Sequence, residues 1–343
     1  MPAVRLLRSD AVFSADQWRA VTRVSTWRGV WLVVHAWAII IAVAGVASWL
    51  AHPLAWLAAV ILIGGRQLGL AILMHEAAHG LLHPNRRVNN FLGQWLTGAA
   101  VGSDLAAYRT YHLRHHKYTQ QAEDPDLPLS APFPTDRTSL WRKAVRDLTG
   151  QTFLKQRSAH YALAGKGLAA IARGDPASPA RAVQAGNPFT TAAVDATSLT
   201  AGNGSATIIA KSVGRFTLAQ LLLLALSLLL WGWTPFLLWL GALATTFQLY
   251  LRLRNIAEHA GTSVGSDDPF SHARTTHANW CERATVAPYW VNYHAEHHLF
   301  MGVPCYRLAA VHRLLGERGH HPAMTIAPGY LAVLRTVTAI PSA

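Results

Sequence analysis

The chain has 343 residues, is 51% hydrophobic and only 14% charged, and has a mean hydropathy of +0.19. Soluble domains average roughly 25% charged residues, so this composition excludes an ordinary soluble domain and points to a membrane protein with a substantial water-facing part. The 30 Lys and Arg against 17 Asp and Glu give a formal net charge of +13. No basic run with interleaved aromatics stands apart from the apolar segments, which argues against a nucleic-acid partner and for a basic face on an anionic bilayer.

The first dozen residues carry Arg5 and Arg8 but no apolar run, so no cleavable signal peptide is expected. Ser14 and Gln17 fit a capping box, with Phe13 and Trp18 as the hydrophobic staple around it. They predict a short surface helix over residues 15 to 26, with Arg19, Arg23 and Arg28 toward headgroups or water. Residues 29 to 50 are almost wholly apolar and long enough to cross a hydrocarbon core of roughly 30 Å. Ala51-His52-Pro53 makes a turn, and a second apolar stretch over 54 to 74 carries Arg66, which is costly at membrane depth unless it snorkels or pairs. His35, inside the first stretch, fits a satisfied buried or interfacial ring.

The second stretch delivers His75-Glu76-Ala77-Ala78-His79. Its two imidazoles are four residues apart and share one helical face. The same five residues match H-E-x-x-H, the zinc-protease signature with Glu76 as general base. The alternative role for Glu76 is to accept an N–H from a ligating ring. His83 lies one turn further on, before Pro84, and is set aside. Residues 90 to 101 are apolar but too short to span, and are expected in the interface.

A second box follows at His112-Leu113-Arg114-His115-His116, then Asp124 and Asp126, which are either a solvated turn or acceptors folded back onto a ligating ring. Residues 135 to 166 are polar and basic and predict amphipathic helices. Residues 173 to 206 are rich in Ala, Gly, Ser, Thr and Pro, without periodicity, and predict a flexible insertion. A second hairpin runs from 216 to 231, turns at Gly232-Trp233-Thr234-Pro235, and returns over 236 to 251. Arg252 and Arg254 mark its exit, followed by Asn255 and, one turn later, His259. Glu258 fits either a surface charge or a partner of a ligating ring. His272 and His277 lack the spacing of the boxes, and His320 and His321 are expected to be exposed. The third box, His294-Ala295-Glu296-His297-His298, repeats the H-x-x-H-H spacing, and residues 306 to 315 predict a helix over the site.

Nine imidazoles are thus candidate ligands: His75, His79, His112, His115, His116, His259, His294, His297 and His298. That is too many for one metal and fits two. Redox-active chemistry suits iron; imidazole alone does not exclude zinc, copper or manganese. The carboxylates placed to orient the rings are Glu76, Asp124, Asp126, Glu258 and Glu296. Cys281 and Cys305 form no close motif, so neither a disulfide framework nor a thiolate site is expected. The outer turns carry no Lys or Arg, so the positive-inside rule places both termini and all boxes in the cytoplasm. The expected fold is an all-α integral membrane protein: a surface helix over 1–28, a first hairpin over 29–74, a water-facing region with two boxes over 75–214, a second hairpin over 215–254, and a cap over 255–343 that completes a histidine-ligated dimetal site.

The set H-E-A-A-H, H-L-R-H-H, N-x-x-E-H and H-A-E-H-H resembles the membrane-bound fatty acid desaturase family. The stretch N-Y-H-A-E-H-H-L-F-M-G-V-P-C-Y-R-L, residues 292 to 308, is similar to that family's third box and its flank; Met301 stands where Pro is common. The likeness runs from about residue 54 to 315, apart from the insertion. It implies that the nine histidines ligate two irons, that Asn255 acts through a water, and that O₂, a lipid acyl chain and a separate ferredoxin- or cytochrome-type electron donor take part. It implies desaturation of the acyl chain in a membrane, expected to be a bacterial inner membrane. Hydroxylation or carotenoid-type ketolation by the same centre is the alternative, and zinc proteolysis through His75-Glu76-x-x-His79 the alternative of another class.

Overall fold

The computed structural model describes residues 3–172 and 204–339. The predicted insertion lies outside the described residues, except that 204 to 206 are already helical and open the long helix Gly204–Leu230.

Ser14 and Gln17 form the reciprocal capping box, and Phe13 packs on Trp18 with ring centroids 5.4 Å apart. The helix they start, Ala15–Thr22, ends four residues earlier than the sequence suggests. Arg23 is extended, and the Tyr306 hydroxyl takes the Ser25 amide hydrogen at 2.8 Å, so the chain is drawn off toward the cap.

Among the described residues, four helices are long and apolar enough to span a membrane: Arg28–Leu50, Pro53–His79, Ala210–Leu230 and Thr234–His259. They form two antiparallel hairpins. Ala51 makes the first turn in the left-handed region, and Pro53, whose missing N–H costs nothing at a helix start, opens the second helix. That helix does not stop before the first box. It runs on through His79, because nothing in it breaks a helix until Gly80, which caps it at φ 81°. The fourth helix is interrupted at Thr245 and likewise continues to His259. Two spanning helices therefore carry metal-ligand motifs rigidly at the same end.

The second helix is the axis of the molecule. Leu54, Leu57, Ile61 and Leu62 are exposed as a lipid-facing surface requires, whereas every residue from Ile63 to Ala78 is buried. Small residues allow this envelopment. A Cβ on Gly65 would stand 2.2 Å from the Ala284 carbonyl oxygen, and one on Gly64 would meet the Thr246 side chain. Arg66 escapes the cost of a lone charge by donating to the carbonyls of Arg283 and Ala284, both at 3.0 Å, with its guanidinium over the Tyr289 ring.

Residues 86–101 form an irregular helix packed on this axis. It widens to a π-helix over Leu92–Gly98, and the Gln94 side chain there accepts the Leu105 amide hydrogen. The second box rides on Leu105–Tyr118, capped by Asp104. The basic region forms the helices Arg137–Leu148 and Gln151–Ala172, tied to the fourth span by Arg252 on Asp147. Besides its helices and connecting loops, the cap carries a parallel two-stranded ribbon, Arg274–Thr276 with Thr325–Ala327. Three-residue strands carry too little period-2 pattern to be seen in a sequence.

Candidate metal centre

The nine candidate imidazoles come together in two adjoining groups. His75, His79, His112, His116 and His297 form one, and His115, His259, His294 and His298 the other; within each, one nitrogen per ring lies within 4.8 Å of the rest. The partition cuts across the second and third boxes. In the second box His112 and His116, one turn apart, face the first group, and His115 turns to the second. In the third box His294 and His298 face the second group and His297 the first. Each of these two helices thus bridges both groups, and the rings of His116 and His298 approach to 4.3 Å between centroids.

The contacts inside each group test whether a cation fits. The His116 Nε2 faces the Nε2 atoms of His112 and His297 at 2.9 and 3.0 Å, and the His294 Nε2 faces those of His259 and His298 at 2.9 and 3.0 Å. Neighbouring nitrogens about 2.1 Å from one cation and at right angles about it are about 3 Å apart. In the first group both nitrogens of His75 and Nε2 of His79 are buried without a hydrogen-bond partner, a cost that an ion would lower by taking one lone pair from each ring. The donor set fits two cations of the kind imidazole prefers.

The second group is also braced from behind. His115 Nδ1 lies 2.8 Å from Asp124, His259 Nδ1 lies 3.0 Å from the His272 carbonyl, and the Thr119 hydroxyl lies 3.2 Å from His298 Nδ1. Nδ1 of His294 stands 3.3 Å from Glu258, itself paired with Arg254. Each Nδ1 faces an oxygen acceptor, which leaves Nε2 free to point inward. Burial, the largest single influence on His115, lowers its affinity for protons. Asp124, with Asp126 and Glu258, more than offsets this and holds the ring at about 9 without metal. The remaining rings outside the spans, His112, His116, His294, His297 and His298, are pushed well below the usual imidazole range, first by burial and then by one another.

The acidic turn folds back onto the second box. Asp124 grips His115 and the amides of Gln120 and Asp126, while Asp126 accepts the Tyr111 hydroxyl. Replacing Asp124 with alanine is expected to weaken metal retention about 10- to 100-fold, the usual penalty for removing such a partner. Iron titration of the purified variant measures this.

Glu76 behaves differently from expectation. Its Oε2 accepts the Cys305 amide at 2.8 Å, and its other oxygen stays 3.6 Å from His75 Nδ1, beyond hydrogen-bond reach. It ties the end of the second span to the cap helix Cys305–Glu317 instead of orienting a ring. It is also not a free base over a metal, so the protease reading loses its catalyst. Glu296 likewise turns from the ligands, to Thr275 and to His312 Nδ1 at 2.6 Å. Asn255 borders a small polar cavity of about 20 Å³ with His115, His259, His294 and Tyr108, and its Oδ1 accepts from Arg254 at 3.2 Å. His83, His277 and His320 stay outside both groups.

Sequence reasoning passed over His272, Thr119 and Tyr289. His272 serves through its carbonyl, which no residue pattern advertises. Tyr289 and Trp290 are both left-handed, at φ 52° and 59°, and turn the chain into the third box. Such conformations cost about 1–3 kcal/mol each and persist where the surroundings enforce them. Here the Tyr289 hydroxyl is held by His35 Nδ1 at 3.1 Å, and its ring fills the slot left by Gly69, where a Cβ would stand 2.6 Å away.

Comparison with known proteins agrees with this geometry. The model of the fatty acid desaturase family matches residues 51–327. The chain is 40% identical over 82 residues to a dihydrorhizobitoxine desaturase of Bradyrhizobium elkanii, a stretch covering 23% of this chain and 22% of that protein. It is 34% identical over 105 residues to a beta-carotene ketolase of Paracoccus sp. (strain PC1), covering 30% of this chain and 40% of the ketolase. A second Paracoccus beta-carotene ketolase, from strain N81106 / MBIC 01143, is 29% identical over 103 residues, with the same shares covered. The matched stretches span less than half of each relative. The family match takes in all three boxes and His259, and the chain belongs to the fatty acid desaturase family.

Proposed function

We propose that this chain is a membrane di-iron oxidoreductase that uses O₂ to introduce a double bond into the acyl chain of a lipid. The observation that carries the reading is the pair of imidazole groups held at one end of four spanning helices. Two irons there, held by the nine histidines and on the second side by Asn255 through a water, would supply the oxidising power for an unactivated C–H bond. The balance is one O₂, two electrons and two protons, with two hydrogens from the chain, giving the alkene and two waters.

The protein's own part is placement. The two long helices and the helices of boxes two and three fix the rings to rigid elements, as a site of this precision needs. Asp124, Glu258, Thr119 and the His272 carbonyl hold the Nδ1 side of the second group. The surrounding buried residues keep bulk water from the centre. The outer turns are free of Lys and Arg, which supports a cytoplasmic position for the centre and both termini. Electrons would come from a separate protein, drawn to the basic face. Its test is the ionic-strength dependence of turnover with donor below saturation.

Oxygen insertion is the second reading, favoured by the likeness to beta-carotene ketolases. Mass spectrometry of total lipids from a host expressing the chain separates the two. A species lighter by two hydrogens, absent from a His297→Ala control, supports desaturation and identifies the acyl class. A species heavier by one oxygen overturns it in favour of hydroxylation.

A further inference from the structure

The short helix Trp280–Ala284, which leads into the third box, belongs to the cap by sequence but not by level. Its last carbonyls, those of Arg283 and Ala284, are bound by Arg66, and the Ala284 oxygen sits against Gly65. Both partners lie halfway along the second span. Arg66 is thirteen residues past Pro53, about 20 Å along a helix rising 1.5 Å per residue. The first span gives the same level independently. Tyr289, just after this helix, bonds His35, fifteen residues before the outer end at Leu50, or about 22 Å. A hydrocarbon core is roughly 30 Å thick. Two spans therefore put residues 280–284 short of the far boundary, within the leaflet on the side of the histidine groups.

What this helix shows to its surroundings suits that level. Trp280 is 80% exposed, and Cys281 and Arg283 are exposed beside it. Near this level on the first span Val34 is also exposed, as is Trp31 about one turn nearer the histidine end. An indole with one apolar body and one N–H favours the boundary between acyl chains and headgroups, and an arginine beside it reaches the headgroups by snorkelling. In water an isolated, exposed tryptophan would gain nothing from its position.

We infer that Trp280–Ala284 is a wedge that the cap inserts into the bilayer, with the acyl–headgroup boundary of the near leaflet as its partner. The third box is then suspended between two membrane contacts, the wedge and the Tyr289 anchor on the first span. The inference does not depend on which reaction the metal centre performs.

Cys281 gives a direct test, because Cys305 is buried and the chain has no other cysteine. The full chain, spin-labelled at Cys281 and reconstituted in phosphatidylcholine–phosphatidylglycerol vesicles, is compared with two Cys281→Ser variants labelled elsewhere. Val46→Cys reports the lipid-facing first span and Arg318→Cys the water-facing rim of the cap; both native residues are exposed. The label at 281 is expected to meet dissolved oxygen more than a water-soluble nickel chelate, as at 46. Accessibility to the chelate equal to that at 318 overturns the inference. A second measurement needs no label. The emission lost in Trp280→Phe should be quenched by lipids brominated near the headgroup and spared by aqueous iodide. Quenching by iodide and not by bromolipid overturns the wedge.

Discussion

Replacing His297 with alanine is expected to abolish turnover and to leave the purified protein with at most one of its two irons. The argument is geometric. His297 comes from the third box, but its Nε2 faces His116 of the second box at 3.0 Å, and its ring lies 4.5 Å from that of His75 in the first. It is the one third-box residue in the five-imidazole group, so its loss removes both a donor and the link between the cap and the first two boxes. The loss of metal should exceed the roughly 10- to 100-fold weakening expected for Asp124→Ala, which would disturb a candidate ligand without removing one. His83→Ala is the internal control. His83 lies near the first box, yet its Nδ1 accepts the Asn85 amide hydrogen and it joins neither group. It should keep full iron and activity. Full iron in His297→Ala, measured by elemental analysis, would falsify the assignment of this ring.

The metal centre was legible because helical spacing is a strong local constraint. Imidazoles four residues apart must share a face, and three such pairs in one chain, with His259 beside them, leave little else for them to do. The partition was not legible. That His115 and His297 cross to the group opposite their box-mates follows from how two helices approach each other, which is a packing outcome. The carboxylates divide in the same way. Asp124 could be suspected from its place after the second box, whereas Glu76 and Glu296 stand inside boxes and still turn away, because a helix sends neighbouring side chains to different faces. Backbone acceptors such as the His272 carbonyl leave no trace in residue identity. Arg66 shows an intermediate case. The sequence flags a charge that needs a partner, and only the fold reveals that two carbonyls from residues over two hundred positions away supply it. Spans were legible in number and order, but their ends were not. Apolar composition falls off before the helix does, so the second and fourth helices carry their ligands further than hydropathy alone indicates.

Acidification is expected to strip the metal and destabilise the fold together, over a window that the burial of the rings defines. Ligating imidazoles must be neutral, so protons compete with metal directly. Burial and mutual repulsion push His112, His116, His294, His297 and His298 well below the ordinary imidazole range in the folded chain. In the unfolded chain the same rings protonate near pH 6.5. A folded-state value below the unfolded one means that the stabilisation is complete above pH about 6.5 and is lost as pH falls, by up to about 1.4 kcal/mol per pH unit for each proton the unfolded chain binds in excess. His115 has the opposite sign. Held at about 9 in the metal-free protein by Asp124 and its neighbours against the effect of burial, it contributes fully below about pH 6.5 and loses that contribution as pH rises through 9. Five rings against one make the acid limb the steeper. Thermal denaturation of chelator-treated protein in detergent should therefore show a steep fall below pH 6.5 and a shallow one toward pH 9. Iron-loaded protein should keep its metal at pH 7.5 and release it by pH 5. Iron content that stays level across that range would mean that these buried rings are not what holds it.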